Sequence, residues 1–128
     1  MNTTLLCSGL LVLLYGCLSL NVSITRLRKR KSAQVTEAHL SKAIRAHGNA
    51  SEYIPIFVGL FVFLSITHPT QLLTVVAIVA TISRVFHAAG MFRAATVTTR
   101  HPLKICGALG TYICLFSLAT MLLLRALP

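Results

Sequence analysis

Hydrophobic positions in this chain are grouped in long blocks, and charged positions are confined to the gaps between them. From Thr3 to Thr25 there is no acid, lysine, arginine or histidine, and the block closes on Arg26, Arg28, Lys29, Arg30 and Lys31. A second block, Ile54 to Ile66, is again free of charge. A bilayer core requires a helix of about 20 apolar residues, and the pattern predicts four such spans, over roughly 3–25, 36–67, 69–93 and 100–125. Local signals mark their starts. Thr36 is a suitable N-cap with Glu37 in the first turn, and Pro69 and Pro102 suit a first helical position. His68-Pro69-Thr70 reads as a tight turn. The expected fold is therefore all-α: an integral membrane four-helix bundle in a single domain, residues 1–128.

Composition supports that reading. Hydrophobic residues make up 55% of the chain and charged residues 11%, against about a quarter in soluble domains. The first block carries its positive charges after the apolar run, which marks a retained span and not a secretory signal. The net charge of +10 is concentrated in the first and third connections, the latter flanked by Arg93, Arg100 and Lys104. The second connection and the N-terminus have no lysine or arginine, so the basic loops are expected in the cytoplasm and both termini outside. There the basic residues meet anionic lipid headgroups. No aromatic platform is interleaved with them, and nucleic acid is set aside. Cys7, Cys17, Cys106 and Cys114 lie in apolar blocks and read as small buried hydrophobes. Neither they nor the five histidines form a zinc-type spacing, so no metal site is expected.

The exceptions to apolarity carry the chemistry. Arg45, Asn49 and Glu52 are spaced i, i+4, i+7 and share one helix face. Arg84, His87 and Met91, spaced i, i+3, i+7, share another on the third span. Counting inward from the turn at His68, Glu52 and Arg84 each lie about 22 Å deep, and Asn49 and His87 about 27 Å. Two polar stripes thus meet at one depth. Glu52 with Arg84 reads either as a buried ion pair that fixes helix register or as part of a site. Asn49 alone reads as helix–helix glue, Tyr53 as an interfacial anchor, and Pro55 as a kink. As a set, Arg26, Arg45, Arg84, Arg93 and Arg100 gather around a single acid, Glu52. An anionic ligand, a lipid headgroup or water must complete that balance.

The segment Arg45-Ala-His-Gly-Asn-Ala-Ser-Glu-Tyr-Ile-Pro55, followed by Ser83-Arg-Val-Phe-His-Ala-Ala-Gly90, resembles the MAPEG superfamily of membrane proteins in eicosanoid and glutathione metabolism. The likeness covers nearly the whole chain and looks like the bacterial inner-membrane branch. It implies a homotrimer that holds glutathione, as co-substrate, between neighbouring subunits at the cytoplasmic side. By position it implies that Arg45, Asn49, Glu52 and Tyr53 bind glutathione, with Arg26, Arg84 and His87 completing the cradle. Arg100 matches the family's thiolate-stabilising arginine, with Arg93 as the alternative. The chain departs from the pattern at Met91 and Lys104, where several members carry tyrosine. The chemistry suits these assignments: arginine forks fit carboxylates, Glu52 fits an ammonium, and a fixed cation lowers a thiol pKa.

The resulting functional expectation is a glutathione-dependent transferase or peroxidase acting on lipophilic electrophiles drawn from the bilayer. A non-catalytic ligand- or lipid-binding protein on the same scaffold is the alternative. A small proton-coupled exporter is disfavoured, because Glu52 sits beside Arg45 and Asn49 on the second span and not alone on the first.

Overall fold

The structure, a computed structural model, describes residues 2–32 and 34–127, so residues 1, 33 and 128 of the expected domain lie outside it. The chain forms four helices: α1 (Thr3–Lys31), α2 (Glu37–Thr67), α3 (Gln71–Arg93) and α4 (Pro102–Ala126). All four are long and apolar enough to cross a membrane. The protein is an all-α, multi-pass membrane four-helix bundle.

The helix ends follow from local chemistry. Asn2 and Thr70 cap α1 and α3 by accepting from the backbone N–H groups of Leu5 and Leu73. The α3 start differs from expectation: Pro69 precedes the cap, and Thr70, whose hydroxyl can reach the orphan N–H, takes the N-cap place. In α2 the ring of His39 accepts from the Thr36 N–H at 3.3 Å. Pro102 opens α4, with His101 as its cap. The basic run expected in the first connection continues α1 instead. Arg28 to Lys31 form its last turn, where positive charge meets the negative end of the helix dipole. Lys29 there pairs with Glu37 across the connection.

The core lies between the helices and is made by one stripe of each. Leu11 and Leu18 of α1, Ile54, Phe57, Phe61 and Leu64 of α2, Leu73, Ala77 and Ala80 of α3, and Cys114 and Leu118 of α4 are buried. Phe57 and Phe61 stack with centroids 5.6 Å apart. The outer surface is as apolar as the core, with Leu13, Ile66 and Phe116 largely exposed. That is the inversion expected when the solvent is lipid.

Packing is closest between α3 and α4, and glycine is the reason. A Cβ on Gly107 would meet the His87 backbone and the Ser83 carbonyl, and one on Gly90 would meet the backbone of Lys104. Both helices therefore approach backbone to backbone at the level of Arg84 and His87. By contrast α2 and α4 scarcely touch. A gap between them is bridged by the side chains of α3.

Candidate functional site

That gap is a small cleft of about 50 Å³, lined by Asn49, Tyr53, Arg84, His87, Ala108, Thr111 and Tyr112. Arg84 fills its floor and is only 2% exposed. One guanidinium nitrogen, Nη2, donates to Asn49 Oδ1 at 2.7 Å. The other, Nη1, donates to Thr111 Oγ1 at 3.4 Å. The Thr111 hydroxyl spends its own proton on the Gly107 carbonyl at 2.7 Å, which fixes it as the acceptor for Arg84. The guanidinium also lies 5.3 Å from the centroid of the Tyr53 ring, a cation–π distance. One α3 cation is thus held by α2 on one side and α4 on the other.

His87, one turn beyond Arg84, is buried as well. Its Nδ1 lies 3.1 Å from the Lys104 carbonyl. A carbonyl only accepts, so that nitrogen carries the proton and Nε2 is left as a bare acceptor when the ring is neutral. Nε2 of His87 and Nε of Arg84 are both buried with no hydrogen-bond partner among the described residues. Two residues that line the cleft thus each keep one buried polar atom unbonded, a donor on Arg84 and an acceptor on the neutral His87 ring.

The rim is phenolic. The Tyr53 and Tyr112 hydroxyls are 3.5 Å apart, with the rings edge to face at 6.1 Å. Tyr112 is about half exposed, on the same outward face of α4 as Leu109, Ile113 and Phe116.

The expected site residues divide into two groups. Asn49, Tyr53, Arg84 and His87 converge on the cleft. Arg26, Arg45, Glu52, Arg93 and Arg100 are exposed on the subunit and do not line it. The Glu52–Arg84 ion pair is not formed within the subunit. Among the described residues the only salt bridge is Lys29–Glu37, and Arg84 takes the neutral oxygens of Asn49 and Thr111 instead. The count paired Glu52 with Arg84 and Asn49 with His87; Arg84 instead bonds Asn49, about one turn before Glu52 on the same helix face, and the exposed Glu52 makes no salt bridge.

Two of the departures have structural roles. Met91 is packed in the apolar core. Lys104 donates to the carbonyls of Val97, at 2.7 Å, and Thr99, at 3.3 Å. With Lys42, which donates to the Ala94 carbonyl, it straps down the connection that carries Arg100. No group of histidine, cysteine or acid among the described residues is arranged to hold a metal.

Sequence reasoning missed Thr111 and Tyr112. The same count made from the basic side would have found them. Tyr112 lies about 15 Å along α4 from Pro102, and Arg84 about 14 Å along α3 from Arg93.

Four membrane-spanning helices with a buried arginine where three of them meet, and exposed arginines towards one end, define a multi-pass membrane bundle with a polar cleft. A family model assigns the class further: that of the MAPEG family matches residues 4–124, and the chain belongs to this family. No individual curated protein matches it. Membership makes this a member of a glutathione-associated membrane family that contains both transferases and non-catalytic proteins.

Proposed function

We propose that the protein is a glutathione-dependent transferase or peroxidase for lipophilic electrophiles, working as a homotrimer with glutathione held between subunits at the basic end. The observation that carries this reading is the outer face of α2. Arg45 and Glu52 lie on it, exposed, in the turns that lead into the uncharged run Ile54 to Ile66. Unpaired charges facing lipid are costly, and such groups are found turned towards a bundle interior or a site. A cleft of about 50 Å³ is also far below the ~300 Å³ or more of ordinary ligand pockets. A tripeptide therefore requires a second wall. A neighbouring copy laid against this face of α2 supplies it and encloses both charges. Beside them Gly48 and Gly59 leave open space for close helix approach.

In this arrangement Arg26 and Arg45 take the glutathione carboxylates, Glu52 takes the ammonium, and Asn49 and Tyr53 form the inner edge, with Arg84 and His87 behind them. Arg100 stands at the strapped connection and holds the sulfur as thiolate. The thiol proton leaves to solvent, the sulfur lone pair forms the bond to the electrophile, and the leaving group departs with its electron pair. Arginine stays protonated throughout, so it stabilises the anion without acting as a base. We place the basic end in the cytoplasm of a bacterial inner membrane, with anionic lipid headgroups around it.

The test is glutathione binding and conjugation by detergent-purified protein. Arg100→Ala is expected to lower turnover by about 10²-fold or more with affinity nearly unchanged, while Arg45→Ala weakens binding with less effect on the bound thiol. Bound glutathione that shows no thiolate at neutral pH and conjugates nothing leaves the binding-protein reading in its place. One observation favours that second reading: Met91 and Lys104 are committed to core and loop, so neither position offers the ligand a hydroxyl.

A further inference from the structure

The basic end of α1 carries a second concavity, which shares no residue with the cleft on Arg84. It is a groove of about 460 Å³ between the last turns of α1 and the connection to α2. Ile24, Leu27, Arg28 and Lys31 line it from the helix, spaced i, i+3, i+4, i+7 and so on one face. Ser32, Gln34 and Val35 line it from the connection. Arg26, which the glutathione reading uses, is two residues from Arg28 and therefore about 160° away around the helix.

Helix length fixes the level of this groove in the membrane. Thr3 to Thr25 carry no charge and rise about 33 Å, enough to cross a hydrocarbon layer of ~30 Å. Arg28 and Lys31 stand about 5 and 9 Å further along, at the level of lipid headgroups. Beneath them on the same face Leu20, Ile24 and Leu27 are exposed, an apolar track for an acyl chain.

The lining also specifies a charge. It contains two cations and no acid. The chain's two acids are Glu37, which pairs with Lys29, and Glu52 on α2, and among the described residues neither Arg28 nor Lys31 has a salt-bridge partner. A planar fork and a point charge one turn apart suit a phosphate. The Ser32 hydroxyl accepts from the Gln34 N–H at 3.2 Å and keeps its own proton to donate, and the Gln34 side chain adds an amide. A zwitterionic headgroup fits less well, because its ammonium finds neither an acid nor an aromatic ring in the lining.

We propose that this groove binds one anionic phospholipid, its phosphate between Arg28 and Lys31, its headgroup hydroxyls against Ser32 and Gln34, and an acyl chain along Leu20, Ile24 and Leu27. A single built site of this kind is distinct from the general attraction of basic loops for anionic membrane. It is also independent of the glutathione reading.

The experiment titrates full-length protein in mild detergent with dioleoyl phosphatidylglycerol and counts the retained lipid by native mass spectrometry. Saturation is expected at one lipid per subunit, with dioleoyl phosphatidylcholine held at least about tenfold more weakly. Arg28→Gln and Lys31→Gln are each expected to weaken retention about fivefold, the worth of one basic residue at an anionic surface. Arg30→Gln removes the same charge from the same turn but outside the groove, and is expected to stay within about twofold of wild type. Each variant keeps four of the five bases that close α1, so the span holds its orientation. Equal weakening by Arg30→Gln would mark diffuse attraction and overturn the proposal. Equal retention of phosphatidylcholine would do the same, as would full displacement by soluble glycerol 3-phosphate, which would mark a site for free phosphate. Lipid retention intact in a protein that conjugates nothing would remove the transferase reading and leave this site standing; conjugation without lipid retention would overturn this site alone.

Discussion

Arg84 holds three helices with one side chain, and the way it does so separates burial from pairing. Its partners are Asn49 and Thr111, neutral groups that orient the guanidinium without cancelling its charge. Asn49→Leu is expected to leave Nη2 buried and unbonded, lowering thermal-unfolding stability in detergent by about 1–2 kcal/mol, within the range for interhelical hydrogen bonds to charged groups. Asn49→Asp places a carboxylate where the amide oxygen stood and is expected to recover that loss. Equal melting temperatures for wild type and Asn49→Leu would show that the 2.7 Å bond contributes nothing. The phenol of Tyr53 is a less sensitive part of the same cluster, since its ring meets the cation face-on and its hydroxyl meets only Tyr112.

The element that sets the site is the α3–α4 pair. Gly107 lets α4 close onto the backbone of Ser83 and His87, and that approach brings Thr111, one turn on, within reach of Arg84. Backbone cannot move aside as a flexible side chain does. Gly107→Ala is therefore expected to push α4 outward at a cost of about 1–3 kcal/mol, the range for overpacked cores. Because Thr111 and Tyr112 move with the helix, the same variant is expected to separate the two tyrosines. A crosslink between cysteines introduced at positions 53 and 112 reports that separation directly. Undiminished crosslinking in Gly107→Ala would refute the backbone-contact argument. Pro55 acts on the neighbouring element by withholding an N–H from the Ser51 carbonyl, just after the site residues of α2.

At the scale of the whole molecule, the proposed assembly encloses the exposed charges Arg45 and Glu52 of α2. Native mass spectrometry in mild detergent is expected to show a trimer. Glu52→Gln is expected to leave the subunit fold intact, because Glu52 makes no salt bridge within it, and to weaken assembly or glutathione binding, because its partners come from outside. A monomeric wild type would overturn the assembly. A Glu52→Gln subunit that fails to fold would overturn the assignment of its contacts.

The linear sequence by itself determined the four spans, the all-α bundle and the residues that break the apolar blocks, because hydrophobic length and charge position are properties of the chain alone. Counting the constant rise per residue also brought the polar residues of α2 and α3 to within a turn of one another, and Arg84 bonds Asn49. It did not determine which stripes face one another. Glu52 and Asn49 lie one turn apart on one helix face, yet only Asn49 bonds Arg84, because the way α2 packs Ile54, Phe57 and Phe61 into the core sets which of the two meets the guanidinium. Thr111 and Tyr112 carried no motif of their own. They became part of the site only when Gly107 and Gly90 allowed α4 to dock, a backbone-to-backbone contact between helices that no local pattern in either one encodes.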